Sequence, residues 1–465
     1  MRRADSMRPC FGLFVVSLGT LAVPFDSAVN VAFPHIIRAL ALPIPAIQWV
    51  VISYTLTYAA LMLVFGRAGD ILGYREVFLL GAGWSCMAFL ACAAAPTFEW
   101  LLAARMLQGV GAAMVLSCGP ALATALYPEA KRTRIFGLYT MVFGIGGVLG
   151  SVLAGVLVQA WGWQAVFWFR APISLAAFVL ALALPRDAPR GGKARFDGLG
   201  ALLLVLAVST MLLALNQLQH PDEPMWLLAP AAVALIAAAG FVAWERRTAQ
   251  PLIDLRFFRD RDFALVNAAN VAVNLSGFAV MLLVPFYLDR FGRLSVPASG
   301  AVLTASGLGI ILASPLAGRL AAFVPPRRLA LLGVTAMAMG QMLVGSAGTT
   351  PHLAVLICGM ALQGAGLGLF QVAYLDIVTA AIPRQDRGVA GSLVMMTRTV
   401  GTVTGATVLM LVFQRLRAST ASDGLAQPDA FMAGFQGAFH AAAIPLVAII
   451  AAALAFGWAR GRARA

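Results

Sequence analysis

The chain has 465 residues, of which 61% are hydrophobic and 11% charged, and its mean hydropathy is +0.88. An ordinary soluble domain carries roughly 25% charged residues, so this composition excludes a soluble globular protein. A net charge of +14 would suggest a nucleic-acid partner in a soluble chain, but here the bases lie in short loops between apolar runs, and no nucleic acid is expected.

Apolar runs of bilayer length lie near 10–33, 47–66, 76–95, 99–126, 134–160, 163–185, 198–218, 225–244, 263–287, 296–318, 329–348, 352–382, 388–412 and 437–458. They predict an all-α integral membrane protein of fourteen transmembrane helices in contact with lipid. The start, Met1-Arg2-Arg3 and an apolar run from Phe11, imitates a secretory signal. That run continues through Asp26 and Asn30 to Pro34 without a small-residue cleavage site, so it reads as a retained first span. The five cysteines, at 10, 86, 92, 118 and 358, show no CxxC and no metal-ligand spacing, which makes them small core residues.

Twenty-five of the 33 Lys and Arg fall at the termini and in alternate loops, among them Arg67, Arg75, Arg132, Arg327 and Arg387. The intervening loops hold only Arg38, Arg290, Arg293, Arg415 and Arg417. This asymmetry predicts an inner-membrane protein with both termini cytoplasmic. The remaining three, Arg105, Arg170 and Arg398, fall inside spans.

The sequence also repeats itself in the same direction. At an offset of 255, Leu107-Gln108-Gly109-x-Gly111 matches Leu362-Gln363-Gly364-x-Gly366, Arg132 matches Arg387, and Gly146 and Gly150 match Gly401 and Gly405. At an offset of 252, Gly66-Arg67 and Arg75 match Gly318-Arg319 and Arg327. Two parallel six-helix bundles follow, at 1–190 and 251–465, related by a pseudo-two-fold along the membrane normal. Two inserted helices and their linkers occupy 191–250.

Three local motifs stand on this frame. After the second span comes a turn with Gly66, Arg67, Asp70, Gly73 and Arg75, in which glycines permit close approach and a carboxylate can clamp a helix N-terminus or an arginine. The fourth span carries Arg105-Met106-Leu107-Gln108-Gly109, with Arg105 and Gln108 on one helical face. The fifth carries Gly144, Gly146, Gly147, Gly150, Ser151, Ala154 and Gly155, small residues that let helices pack closely. Together these resemble the signature loop, the R-x-x-Q-G-x-G motif and the antiporter motif of the major facilitator superfamily. Phe196-Asp197-Gly198-Leu199-Gly200 and the segment Pro251–Phe258 are similar to its fourteen-span drug/proton antiporter branch. The resemblance covers nearly the whole chain. It departs where Ser151 replaces a proline, Ala154 a glycine, Arg170 an asparagine, and Glu76 a second base.

That resemblance implies a secondary transporter working by alternating access, with no enzymatic activity and no cofactor, driven by the proton gradient. Its partners would be a small-molecule substrate and protons, and either a periplasmic adaptor or no other protein, as a monomer. The Asp70 loop would latch the inner gate, and Arg105 would take part in proton transfer.

Asp26, two residues after Pro24, is the clearest acid within a span and the candidate proton carrier, sharing a cavity with Arg105 or forming a static salt bridge with it. Candidate cavity residues are Asn30, Gln108, Arg170, Asp376, Arg398 and Tyr374, with Asp376 and Arg398 each either facing the cavity or forming half of a buried pair. Asn267, Asn270 and Asn274 add a stripe on one face of the ninth span that either lines a watery path or makes interhelical hydrogen bonds. Two cargoes fit: amphipathic organic compounds exported in exchange for protons, or an organic anion moved in either direction, since three in-span arginines face two in-span acids. A membrane enzyme lacks any catalytic constellation, and a non-transporting sensor lacks a soluble signalling domain.

Overall fold

The computed structural model describes residues 2–42, 44–125, 127–185, 196–217, 224–248, 251–292, 294, 296–383, 387–422, 426–455 and 457, and every regular element among them is helical. The first span is made of α1 (Arg2–Leu21), a single 3-10 turn at Pro24–Asp26 and α2 (Ser27–Ala39). Then come α3 (Gln48–Leu72), α4 (Tyr74–Ala93), α5 (Phe98–Ala125) and α6 (Arg132–Trp161). The sixth span is divided into α7 (Ala165–Trp168) and α8 (Ala171–Ala181), and α9 (Gly198–Gln217) and α10 (Pro224–Glu245) follow. The last six are α11 (Arg261–Phe291), α12 (Val296–Leu320), α13 (Pro326–Gly345), α14 (Leu353–Ala381), α15 (Arg387–Ser422) and α16 (Gln427–Ala455).

Among the described residues thirteen spans are long and apolar enough to cross a bilayer, and the shorter stretch Ala165–Ala181 stands sixth in order, so fourteen positions are kept. Two boundaries differ most from the hydropathy reading. Helix α15 runs ten residues past 412, and α16 starts at Gln427 rather than 437. Residues 413–422 are polar but contain no glycine or proline to stop a helix, so hydropathy ends before the hydrogen-bond ladder does.

Packing repeats as the sequence does. Helix α4 lies on α5 as α13 lies on α14, α3 on α5 as α12 on α14, α2 on α6 as α11 on α15, and α4 on α8 as α13 on α16. The repeated glycines explain the first pairs. A Cβ on Gly109 would come within 2.9 Å of the Tyr54 carbonyl oxygen, and one on Gly364 would collide with the Ser306 carbonyl oxygen, at the equivalent place in the second half. The two bundles meet through α6 on α12 and α3 on α15. Helices α9 and α10 pack on each other beside them, with α9 touching α3 and α15. The expected boundaries at 190/191 and 250/251 fall at 186–195 and 249–250, outside the described residues, as do Arg186, Arg190, Lys193 and Arg195.

Candidate functional site

The site begins at a broken turn. Pro24 has no N–H to donate to Thr20, and the freed Thr20 carbonyl instead accepts from Val23 N at 3.1 Å. The chain tightens to a 3-10 turn, which ends on Asp26. Helix α6 seats this turn. A Cβ on Gly146 would lie 2.5 Å from Pro24 Cγ, one on Gly150 would lie 2.6 Å from Ser27 Oγ, and Ser27 Oγ donates to the Gly147 carbonyl at 3.1 Å. Gly155 differs from the expectation: a Cβ there would meet nothing within 4 Å, so it is no packing point. The side chain of Ser151 lies outside those described.

Asp26 binds three side chains from two other spans. Arg105 grips it with both ends of the guanidinium, Nη1 to Oδ1 at 2.6 Å and Nη2 to Oδ2 at 2.8 Å. Arg170 Nη1 donates to Oδ1 at 2.9 Å and Gln108 Nε2 to Oδ1 at 3.0 Å. Arg105 is further fixed by the Val50 carbonyl at 2.8 Å and Gln108 Oε1 at 2.8 Å, and lies 4.3 Å above the Tyr54 ring. Arg170 Nε binds the Val166 carbonyl at 3.0 Å, its guanidinium lies 4.5 Å from the Phe89 ring centre, and its Nη2 has no hydrogen-bond partner. Both arginine side chains are fully buried, while that of Asp26 is 16% exposed. The cluster therefore carries one carboxylate and two guanidiniums, a net positive charge, with only the acid reachable. Asn30, expected on the same face, is exposed and joins none of these bonds.

A second feature lies between the bundles. A small cavity is lined by Tyr139, Thr140 and Phe143 of α6, Gln371 and Leu375 of α14, and Val394, Met395 and Arg398 of α15. Of the residues proposed for the cavity from sequence, Arg398 is there. Its guanidinium lies 4.9 Å from the Phe143 ring centre, and no acidic side chain among the described residues pairs with it. Tyr54 and Tyr58, one turn apart on α3 with ring centres 5.0 Å apart, connect the two features: Tyr54 lies under Arg105, and Tyr58 Oη accepts from Thr399 Oγ1 at 3.3 Å.

Other expected cavity residues sit elsewhere. Asn267, Asn270 and Asn274 are buried and tie α11 to its neighbours. Asn270 Nδ2 donates to the Val394 carbonyl at 3.0 Å and to Thr397 Oγ1 at 2.8 Å, Asn274 Nδ2 donates to Asn270 Oδ1 at 2.9 Å, and Asn267 Oδ1 accepts from Tyr374 Oη at 2.8 Å. Tyr374 is consumed in this network and stacks on Phe370 at 5.6 Å. Asp376 accepts from Arg132 Nε at 2.7 Å across the bundle interface. These groups satisfy one another in the interior, where an unpaired polar group costs about 1–3 kcal/mol. None of them lines the cavity.

The end of the molecule bearing the arginine-rich loops is fastened. Gly73, at φ 110°, turns the chain from α3 directly into α4. Asp70 accepts from Tyr74 Oη at 2.7 Å and from Val389 N at 3.2 Å, where a carboxylate complements the N-terminus of α15 in the other bundle. Arg75 holds the end of the sixth span through the Leu184 and Leu182 carbonyls at 2.9 and 2.7 Å, and pairs with Glu76 at 3.0 Å. Gly66 is buried within α3, and Arg67 lies within electrostatic reach of Glu245. Arg387 reaches Glu129 at 2.6 Å. Among the described residues no group of three His, Cys, Asp or Glu could hold a metal ion.

The profile of the Major Facilitator Superfamily matches residues 11–297 and 266–465 of this chain. The chain belongs to that superfamily. Its members are transporters, not enzymes. The multidrug resistance protein Stp of Mycobacterium tuberculosis is 30% identical over 402 residues, 86% of this facilitator and 73% of the relative. The riboflavin transporter RibZ of Clostridioides difficile is 28% identical over 398 residues, 84% of this chain and 86% of the relative. The solved structure of the proton:xylose symporter XylE superposes with a TM-score of 0.63 over 95% of each chain at 14% identity, a likeness of fold alone.

Two features of the site escaped the sequence. The meeting of Arg170 with Asp26 had a signal, a cation in an apolar run where the family resemblance expects asparagine, but nothing local named its partner. The Arg132–Asp376 pair joins residues 244 apart and had none.

Proposed function

We propose that this facilitator exports amphipathic organic compounds from the cytoplasm across the inner membrane in exchange for protons. The bundles at 1–190 and 251–465 alternate access, and both termini are cytoplasmic. The observation that carries the reading is the Asp26 cluster: one partly exposed carboxylate holds two sealed guanidiniums at a break in the first span. Protonating Asp26 removes the charge that organises both arginines, so proton entry and the packing of the first, fourth and sixth spans are coupled. The Asp70, Arg132 and Arg387 contacts close the cytoplasmic side in the present conformation. The name of the Stp relative supports a drug-like cargo.

The test is reconstitution in liposomes with an imposed pH gradient, following proton movement with a fluorescent indicator and uptake of ethidium and of fluorescein. Substrate-dependent proton movement in the wild-type protein, abolished by Asp26→Asn, is the expected result. Movement of either compound that ignores the gradient and survives Asp26→Asn would remove proton coupling from the reading.

A further inference from the structure

Charges inside the spans do not cancel, and the surplus is placed. Asp26 is taken by Arg105 and Arg170, and Asp376 is taken by Arg132. Arg398 is left half-buried beside the Phe143 ring, with no acidic partner among the described residues, at the wall of the cavity between the two bundles. A cation in a low-dielectric interior without a counter-ion is costly, and it repels any further cation that enters. The same cation stabilises an anion, most strongly as a charge-assisted bond once water is excluded.

We infer that the cargo of this transporter is an aromatic organic anion, a carboxylate or sulfonate whose acidic group pairs with Arg398 and whose ring lies against Phe143. This rests on the transport reading above and narrows its substrate class. The surroundings suit such a ligand. Tyr139 and Thr140 offer hydroxyls, Gln371 an amide, and Phe143, Leu375, Val394 and Met395 an apolar surface, groups suited to one polar end and one flat apolar body once the small cavity widens to admit them.

The position also explains how occupancy reaches the gate. Helix α6 carries Arg132 two turns before Tyr139, α14 carries Asp376 directly after Leu375, and α15 carries Val389, the Asp70 partner, before Val394. The three helices that line the cavity therefore carry three of the groups that join the bundles below it. On the other side, Thr399 follows Arg398 and reaches Tyr58, and Tyr54 continues to Arg105 and Asp26. An anion that draws Arg398 inward shifts elements shared by the gate and the proton site.

The experiment uses the purified full-length protein in low-chloride buffer at neutral pH. Thermal unfolding is titrated with 2-naphthoate, anthraquinone-2-sulfonate and fluorescein, and in parallel with neutral 2-naphthamide and cationic ethidium. We expect saturable stabilisation by at least one of the anions and none by the amide. Apparent affinity should fall about tenfold or more in Arg398→Gln and be largely kept in Arg398→Lys, which retains the charge if the glutamine variant folds poorly. The anion that binds should also be the one moved in the liposome assay. No stabilisation by any of the three anions, stabilisation by naphthamide equal to naphthoate, an effect reproduced by chloride alone, or an affinity indifferent to both Arg398 variants would overturn the inference. Gradient-driven movement of ethidium without anion binding would overturn it while leaving proton-coupled export intact.

Discussion

Arg132 and Arg387, 255 residues apart in the chain, take equivalent places at the starts of α6 and α15, and each reaches an acid in the opposite bundle. Arg132 Nε lies 2.7 Å from Asp376 Oδ1 with both side chains largely buried, whereas Arg387 Nη2 lies 2.6 Å from a Glu129 that is 49% exposed. A solvated pair is worth about 0–1 kcal/mol. Breaking a buried one leaves a charge without compensation and costs about 3–5 kcal/mol. The two ties are alike in topology and unequal in strength.

Asp376→Asn is therefore expected to shift the protein toward a state open at the arginine-rich end, and Glu129→Gln to shift it little. Spin labels at the exposed positions Leu72 and Phe323, one in each bundle, would report the change as a longer inter-label distance. A population change of about tenfold needs only about 1.4 kcal/mol of difference between states. Exchanging the charges, with Arg132→Asp and Asp376→Arg together, should recover much of the short-distance population. If Asp376→Asn leaves the distance distribution unaltered, the pair does not hold the gate.

At the Asp26 cluster, Asp26→Asn leaves Arg105 and Arg170 buried beside a neutral amide. We expect gradient-driven transport to stop and the melting temperature to fall by several degrees, in line with an uncompensated buried charge. Arg170→Asn alone should be milder, because the bidentate Arg105 contact survives. Adding Arg170→Asn to Asp26→Asn should then cost less than the sum of the two, with a coupling of about 1–3 kcal/mol. Strict additivity would mean that Arg170 and Asp26 do not interact in the membrane.

The succession of spans is readable because it is set by a one-dimensional quantity, apolar length. The pairing of Asp26 with Arg105 was half readable, since both stand at a similar depth from the same face. Depth does not say which helices are neighbours, so Arg170 reads only as an added charge, and Asp376 reads as a cavity residue or half of a buried pair without naming Arg132, which starts a helix in the other bundle. The asparagine stripe shows the same limit. Its i, i+3, i+7 spacing fixes that the three share a face, while only the packing of α11 on α14 and α15 decides that the face meets protein.

Because that face meets protein, Asn267→Leu is expected to act on stability and not on selectivity. It removes the acceptor of Tyr374 Oη, and its own bond to the Phe263 carbonyl. Leaving such groups buried without partners costs about 1–3 kcal/mol. Thermal unfolding should therefore shift down, while the ratio of transport rates for fluorescein and ethidium in protein that remains folded stays as in the wild type. A changed ratio with unchanged unfolding would return the stripe to the substrate path.

Two glycines of the α6 motif separate packing from mere composition. Gly146 faces the broken turn, where a Cβ would stand 2.5 Å from Pro24 Cγ and 3.0 Å from Leu21 Cδ1, while Gly155 is exposed with nothing within 4 Å of an added Cβ. Gly146→Val must displace the turn that presents Asp26. Overpacking of this kind costs about 1–3 kcal/mol, and the displaced carboxylate should lose part of its grip on Arg105 and Arg170, so proton-driven transport falls along with stability. Gly155→Val adds apolar surface toward lipid on a helix face that touches nothing. It should leave transport at the wild-type rate and stability within about 0.5 kcal/mol. Side-by-side unfolding and liposome transport measurements decide the matter. Equal damage from both substitutions would mean that Gly155 has a packing partner, while no damage from Gly146→Val would mean that the Pro24 turn does not depend on its seat against α6.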